Sequence, residues 1–287
     1  MSSYSRKEFL QLSTGLAGAL ALSPSLGHFY CNNSNKLKTF GLQLYTIRDI
    51  FEKDPKGAIK QISTFGYKQL EGYERSLGLF WGMKNTEFKK YVEDLGMEFI
   101  ASHCDTDNDL ERKAAEAAAT GMKYLIHAWD GNCKTIDDYK KLAETFNKQA
   151  AVCKRNGIAY AFHNHYYSFQ KMEDQFPQDI LMQNTDASLV DFEIDFGWAV
   201  AAGQDPVTWL EKYPDRFRLC HIKDRTKGST KMEDTCDLGT GSIDFPRILK
   251  VAKKNGMQYY IAEQEHYPVS SLKSAEVDAE YMKGLKF

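Results

Sequence analysis

Short apolar runs recur along the chain, and five of them share a frame. Each follows a helical-looking stretch that ends in Gly, and each terminates in His or Glu. The five span Gly66–Glu71, Gly96–His103, Gly121–His127, Gly157–His165 and Gly256–Glu265. Gly just past a helix supplies the left-handed backbone conformation that stops it. A short apolar run after such a stop reads as a buried strand. Including runs without the Gly entry, the pattern predicts eight strands: Thr39–Tyr45, Gln69–Tyr73, Glu98–His103, Tyr124–Ala128, Ala159–His165, Val190–Phe196, Arg218–Ile222 and Tyr259–Glu263. Between most of them lie stretches with helical spacing: Pro55–Phe65, Glu87–Leu95, Leu110–Thr120 with Asn108 or Asp109 as N-cap, Ile136–Asn156, Pro206–Tyr213 and Pro246–Asn255. The last two follow Asp205 and Asp244, so each pairs a capping acid with Pro in the first turn.

Strand and helix alternating eight times predict parallel pairing with right-handed crossovers, and so a single (β/α)8 TIM barrel in the α/β class. No Gly-x-Gly-x-x-Gly follows the first strand and there is no P-loop, which counts against an open doubly wound sheet. No composition break follows residue 36, so one barrel domain is expected over residues 37–287, after an export signal and linker over residues 1–36.

That N-terminal segment carries Ser5-Arg-Lys-Glu-Phe-Leu10, similar to a twin-arginine motif. A weakly apolar stretch, Leu12–Leu22, and Ser23-Pro24-Ser25 follow. The stretch is too short for a bilayer span, so a cleaved signal and a periplasmic location are expected, without stable membrane insertion. A formal net charge of −2 gives no electrostatic case for nucleic acid. The six cysteines, Cys31, Cys104, Cys133, Cys153, Cys220 and Cys236, include no Cys-x-x-Cys pair. They read as small buried residues rather than a thiolate metal site.

The chemistry collects where the strands run out. The fifth strand ends in His163-Asn164-His165, and the sixth carries Glu193 and Asp195 before Trp198. The seventh gives His221-Ile-Lys223-Asp224, and the eighth gives Glu263-Gln-Glu265-His266. Alternate residues share a strand face, so each pair two apart points the same way. Imidazoles and carboxylates from neighbouring strands thereby converge on one mouth. That donor set suits Mn²⁺, Co²⁺, Zn²⁺ or Fe²⁺.

Several of these segments resemble the sugar phosphate isomerase/epimerase family of xylose-isomerase-like TIM barrels. They are Gly41-Leu-Gln-Leu-Tyr-Thr-Ile-Arg48-Asp, Leu70-Glu71-Gly-Tyr, the His-Asn-His of strand five, Asp195-x-x-Trp198, His221-Ile-Lys-Asp and Leu238-Gly239-Thr-Gly241-Ser-Ile-Asp244. The likeness covers about residues 39 to 266. It implies a divalent metal held from strands five to eight, at His163, Asp195, His221 and Glu263. His163 stands where many members have Glu, and Ser168 where relatives with His-Asn-His often have Glu, so His165 is an alternative ligand. Glu265 or His165 is expected to exchange the proton, with Lys223 beside them. Arg48, Glu71, His103 and Lys223 are expected to bind sugar oxygens, and Trp81, Trp129 and Trp198 are candidates for stacking on a sugar face.

The implied reaction begins with removal of a proton next to a sugar carbonyl. Isomerisation, epimerisation or β-elimination follows according to where the electrons go next. A location outside the cytoplasm, with only a weak phosphate loop at Gly239–Gly241, favours a non-phosphorylated keto sugar or keto-glycoside, and a 3-keto-glycoside lyase is the alternative reaction. A non-catalytic carbohydrate-binding barrel is the alternative from another class. A barrel endonuclease is disfavoured for want of a basic DNA-facing surface. A homo-oligomer is compatible with the sequence.

Overall fold

The computed structural model describes residues 36–129, 132–229, 231 and 233–287. The export segment expected before residue 36 lies outside the described residues. Among the described residues ten strands occur in chain order: β1 Gly41–Gln43, β2 Gln69–Tyr73, β3 Glu98–His103, β4 Tyr124–His127, β5 Ala159–His163, β6 Val190–Asp195, β7 Phe217–Ile222, β8 Asp224–Arg225, β9 Thr235–Cys236 and β10 Tyr259–Ala262. All but β8 and β9 close into one parallel barrel in which β1 lies between β2 and β10. The fold is the (β/α)8 barrel that the alternation predicts. Strands β8 and β9 form a small antiparallel ribbon of their own.

The five repeat glycines explain the spacing. Gly66, Gly96, Gly121, Gly157 and Gly256 have φ of 103, 72, 84, 78 and 87°, which only a residue without Cβ adopts at little cost. Each one reverses the chain from a helix on the outside into the next strand. The opposite turns are fixed by caps. Asp54 accepts from Gly57, Asp205 from Val207, Asp244 from Arg247 and Ser270 from Lys273, while Thr135 and Asp138 form a capping box. Not every helix is capped so: Asn85–Asp94 and Pro177–Asn184 make no side-chain capping bond, and neither does Leu110–Thr120. Asp109 stands at its N-cap with φ 55° and makes no capping bond; the neighbouring Asp105 accepts from Asp107 and Asn108 instead.

Several predicted strands are too long at the polar end. The first ends at Gln43, whose side chain caps a 3₁₀ turn, Leu44–Ile47. The fifth ends at His163 and the last at Ala262, so His165, Glu263 and Glu265 lie beyond the ladder. At the rim the ladders give out after a last bond, such as that from the Glu263 amide to Ile222 O, and the chain turns into loops.

Packing divides into two layers. Outside the barrel, helices and strands bury one large apolar cluster that includes Phe88, Phe99, Phe146, Phe162, Phe192 and Phe217. Inside it, Ile100, Ala101, Tyr124, Ile126, Ala161, Leu219 and Ile261 form a separate apolar plug. Counting two residues onward along the strands from this plug leads from Ala101 to His103, Ala161 to His163, Leu219 to His221 and Ile261 to Glu263. The polar layer therefore rests on an apolar floor.

The tight fit around β2 generates a prediction. A Cβ on Gly72 would come within 2.6 and 2.8 Å of the Phe99 ring, which packs edge-on against Phe88. Gly72→Ala is expected to cost about 1–3 kcal/mol by overpacking, read as a lower urea midpoint with the m-value unchanged. An unaltered midpoint would show that Phe99 can yield.

Candidate active site and metal centre

The site is built in two tiers on the polar end of the barrel. In the lower tier, Glu71, His103, His163, Glu193 and His221 meet at the barrel centre. His221 Nε2 lies 2.6 Å from Glu71 Oε1 and 3.3 Å from Glu193 Oε2. His103 Nε2 lies 2.8 Å from Glu193 Oε2 and 3.2 Å from Glu71 Oε1. His163 Nδ1 is 3.1 Å from Glu193 Oε2, and Gln43 Nε2 donates to Glu71 Oε1 at 2.5 Å. Two register irregularities contribute. The ladder slips between Leu70 and Glu71 in β2 and between Phe192 and Glu193 in β6. The extra residues are Ile100 in β3 and Arg218 in β7, opposite those slips. A bulge re-aims the side chains that follow it on its own strand, here those leading to His103 and His221.

In the upper tier, Asp195, Lys223, Glu263 and Glu265 stand over the first. Lys223 Nζ contacts Asp195 Oδ2 at 2.8 Å, Glu263 Oε2 at 2.7 Å and Glu265 Oε1 at 2.6 Å. His221 joins the tiers, because its other nitrogen, Nδ1, lies 2.9 Å from Glu263 Oε2 and 3.6 Å from Asp195 Oδ2. Asp195 Oδ1 also accepts the Trp198 amide, which orients the carboxylate.

The charges settle one another. Burial pushes Glu71 up, but His221 and His103 outweigh it and hold the carboxyl well below the usual range. Burial and the Glu71 charge push Glu193 up to about 7. His103 is raised to about 9, since Glu71 and Glu193 overcome burial; His221 is raised against burial by Glu193, Glu263 and Glu71. Burial and the neighbouring His221 and His103 hold His163 low and neutral. Asp195 and Glu263 are kept low against burial, chiefly by Lys223.

The upper tier fits a divalent ion. Asp195, His221 and Glu263 each bring a ligand atom within 4.8 Å of the others. Asp195 Oδ2, Glu263 Oε2 and His221 Nδ1 are buried and, despite their short separations, make no geometrically sound hydrogen bond. Two carboxylate oxygens and an imidazole nitrogen so grouped make a borderline divalent donor set, with Lys223 Nζ lying against both oxygens.

Of the four residues expected to hold metal, the structure brings Asp195, His221 and Glu263 together. It groups His163 with His103, Glu193 and His221 in the lower tier instead. Glu265 and His165 reach the cavity mouth. Glu71, expected to touch sugar, is wholly buried beneath the tier that would meet it. Arg48 does not line the cavity; it donates to Tyr45 O, Tyr267 Oη and Glu265 O and so holds the loop bearing Glu265. Trp81 is buried among Phe51 and Tyr73, whereas Trp129 and Trp198 do line the cavity. Asp224 makes no ion pair with Lys223; it accepts the amides of Arg225, Gly239, Gly241 and Ile243. Glu193 stands beside Asp195 among the strand-end acids expected at the mouth but is given no role by the sequence, and Gln43 is not singled out by it.

Above the tiers opens a cavity of about 580 Å³, reaching from His163, Lys223 and Glu263 past Tyr45, Tyr73 and His103 to Arg75, Asp105 and Trp129. His127 braces one side of it. Its Nε2 donates to Trp129 O at 2.6 Å, so in the neutral ring Nδ1 accepts from Thr106 Oγ1 at 2.6 Å.

The sequence pattern of the xylose isomerase-like TIM-barrel family matches residues 59–286. The chain is 30% identical over 164 residues to an inosose dehydratase of Clostridium perfringens, a match covering 51% of this chain and 54% of that enzyme. It is 29% identical over 221 residues to an inosose dehydratase of Clostridium beijerinckii, covering 68% and 72%. The chain thus spans about half the length of the first relative. A solved sugar phosphate isomerase/epimerase of Parabacteroides distasonis superposes with a TM-score of 0.73 at 28% identity, covering 85% of this chain and 97% of that one.

The brace on Trp129 predicts a pH effect. Burial holds His127 below the ordinary histidine value, so the unfolded chain takes up this proton first as pH falls. Stability from His127 is present above about 6.5 and is lost as pH drops below it. Wild type should therefore lose stability between pH 7 and 5 more steeply than His127→Gln in urea melts; equal slopes would count against the brace.

Proposed function

The chain belongs to the xylose isomerase-like TIM-barrel family, and on that premise we propose that it is an enzyme acting on a non-phosphorylated keto sugar or keto-glycoside. It removes a proton next to the carbonyl, and isomerisation or epimerisation follows. The carrying observation is the trio of buried donor atoms on Asp195, His221 and Glu263, all within 4.8 Å of one another, beneath an open cavity that Glu263 and Glu265 line.

Asp195, His221 and Glu263 would hold a divalent ion, which when bound supplies Lewis acidity at the sugar oxygens. Glu265 is the base: its carboxylate is partly exposed to the cavity and bears on Lys223, so Lys223 steadies the anion and orients it. His165 is less suited. Its Nδ1 faces the Tyr167 hydroxyl at 3.2 Å, and burial with the Lys223 charge holds it at about 4, a weak base. His103 reaches the cavity from the lower tier and donates to sugar hydroxyls.

Absence of phosphate from the substrate is supported by Asp224. The Gly239 and Gly241 amides, the candidate phosphate loop, already bind its carboxylate, and a second anion there would meet that charge. Export through the segment at residues 1–36 belongs to the same proposal. A second reading, β-elimination from the same carbanion-like intermediate, is favoured by the resemblance to inosose dehydratases.

Incubating the protein with keto-glycosides, free ketoses and sugar phosphates in D₂O, with Mn²⁺ or Co²⁺ added, should place deuterium beside the carbonyl of a non-phosphorylated substrate. The products separate isomerisation, epimerisation and elimination. Glu265→Gln should slow exchange by about 10²–10⁴-fold; turnover confined to phosphorylated sugars would sink the proposal. Mn²⁺, Co²⁺ or Zn²⁺ should raise the melting temperature of wild type and not of Asp195→Asn, and no shift in wild type would favour a non-catalytic binding barrel. Lys223 Nζ lies on the oxygens that the ion would use. Calorimetry should therefore find tighter metal binding in Lys223→Met, unless the ammonium leaves those oxygens free.

A further inference from the structure

The aromatic side of the cavity extends well beyond the two reactive tiers. From His163 on the floor, ring follows ring outward: His165 with its centroid 5.1 Å away, then Trp129 a further 5.8 Å on. Tyr167 stacks on His165 at 5.4 Å and stands edge-on to Trp129 at 6.0 Å. Trp198 closes the inner end of this wall, 5.7 Å from His165. Trp129 is 61% exposed, one of three large apolar side chains so exposed among the described residues. Trp is well buried on average, whereas here the ring stands exposed at a cavity rim beside His165 and Tyr167.

The Trp129 backbone is anchored. His127, itself buried, holds the Trp129 carbonyl and is held by Thr106. An exposed indole carried on an anchored backbone is preorganised for a flat ligand surface. Sugar rings offer such a surface on their C–H faces while their hydroxyls seek polar partners. Those partners stand at the same end of the cavity: Glu74, Asp105 and Arg75, whose guanidinium rests on the rings of Tyr45 and Tyr73 at 6.0 and 5.8 Å. A single sugar ring seated over Glu263 and Glu265 fills only a fraction of about 580 Å³.

We propose that Trp129 forms the platform of a second sugar subsite, so that the substrate is a disaccharide or an equivalent glycoside whose distal ring stacks on the indole. This rests on the keto-sugar reading and narrows it. The subsite contributes affinity and orientation and takes no part in proton transfer. Trp129 is therefore a specificity-determining residue, not a catalytic one.

The test compares 3-keto-glucose with a 3-keto-glucosyl disaccharide, and glucose with maltose and trehalose as unreactive probes. Wild type should exchange deuterium into the keto-disaccharide with a KM about tenfold or more below that for the keto-monosaccharide, and calorimetry should rank an unreactive disaccharide above glucose. Trp129→Ala should abolish both differences by raising the keto-disaccharide KM to that of the keto-monosaccharide, and Trp129→Phe should restore most of the preference. Equal handling of one-ring and two-ring sugars by wild type, or an equal loss for both in Trp129→Ala, would overturn the subsite and leave the keto-sugar reading standing. Failure of every keto sugar to exchange would overturn the keto-sugar reading, and the saccharide titrations would still decide the subsite: disaccharide preference lost in Trp129→Ala supports it, and its absence refutes it.

Discussion

One imidazole joins everything polar in this barrel. His221 is wholly buried, with Nε2 against Glu71 and Nδ1 against Glu263. Remove it, and four carboxylates, Glu71, Glu193, Asp195 and Glu263, would face one another with less opposing charge in a medium that screens poorly. The ring therefore separates and neutralises two groups of acids at once. Its position is fixed from below, because Leu219 two residues earlier is part of the apolar plug, and from the side, because β7 pairs with both β6 and β10. The placement of the upper tier follows from that of the ring.

Such a layer is costly for folding. Buried ion pairs seldom outperform apolar packing of the same volume, and here they fill the middle of the barrel. The stability has to come from elsewhere, from the helix–strand layer with its dense aromatic packing and from the plug beneath. The structure thus divides its labour along the barrel axis, with an apolar end that holds the fold and a polar end where buried charges compete. Lys223 Nζ, shared among Asp195, Glu263 and Glu265, is the visible sign of that competition.

The fold was legible because helix stops and strand starts are local events. Glycines at the five repeat positions take positive φ whatever surrounds them, and capping acids such as Asp54, Asp205 and Asp244 act within one turn. Strand ends were less legible. Whether His165 or Glu263 still belongs to a ladder depends on a neighbouring strand, which no local pattern records.

The site was legible in part, for the same reason. Alternation along a strand put His221 with Lys223, and Glu263 with Glu265, on one side, and they do meet there. Sequence by itself determined the parallel barrel, the strands that carry chemistry and the residue types available to it, since these follow from periodicity and backbone propensity. Only the tertiary structure decided that His163 sides with Glu193 and not with Asp195, that Glu71 lies beneath the cavity, that Arg48 serves a loop and that Asp224 fills the glycine loop. Those choices turn on two ladder slips, before Glu71 and before Glu193, and on competition among charges brought together from strands far apart in the chain. Pairing register and long-range electrostatics are properties of the closed barrel, and no segment of the sequence contains them alone.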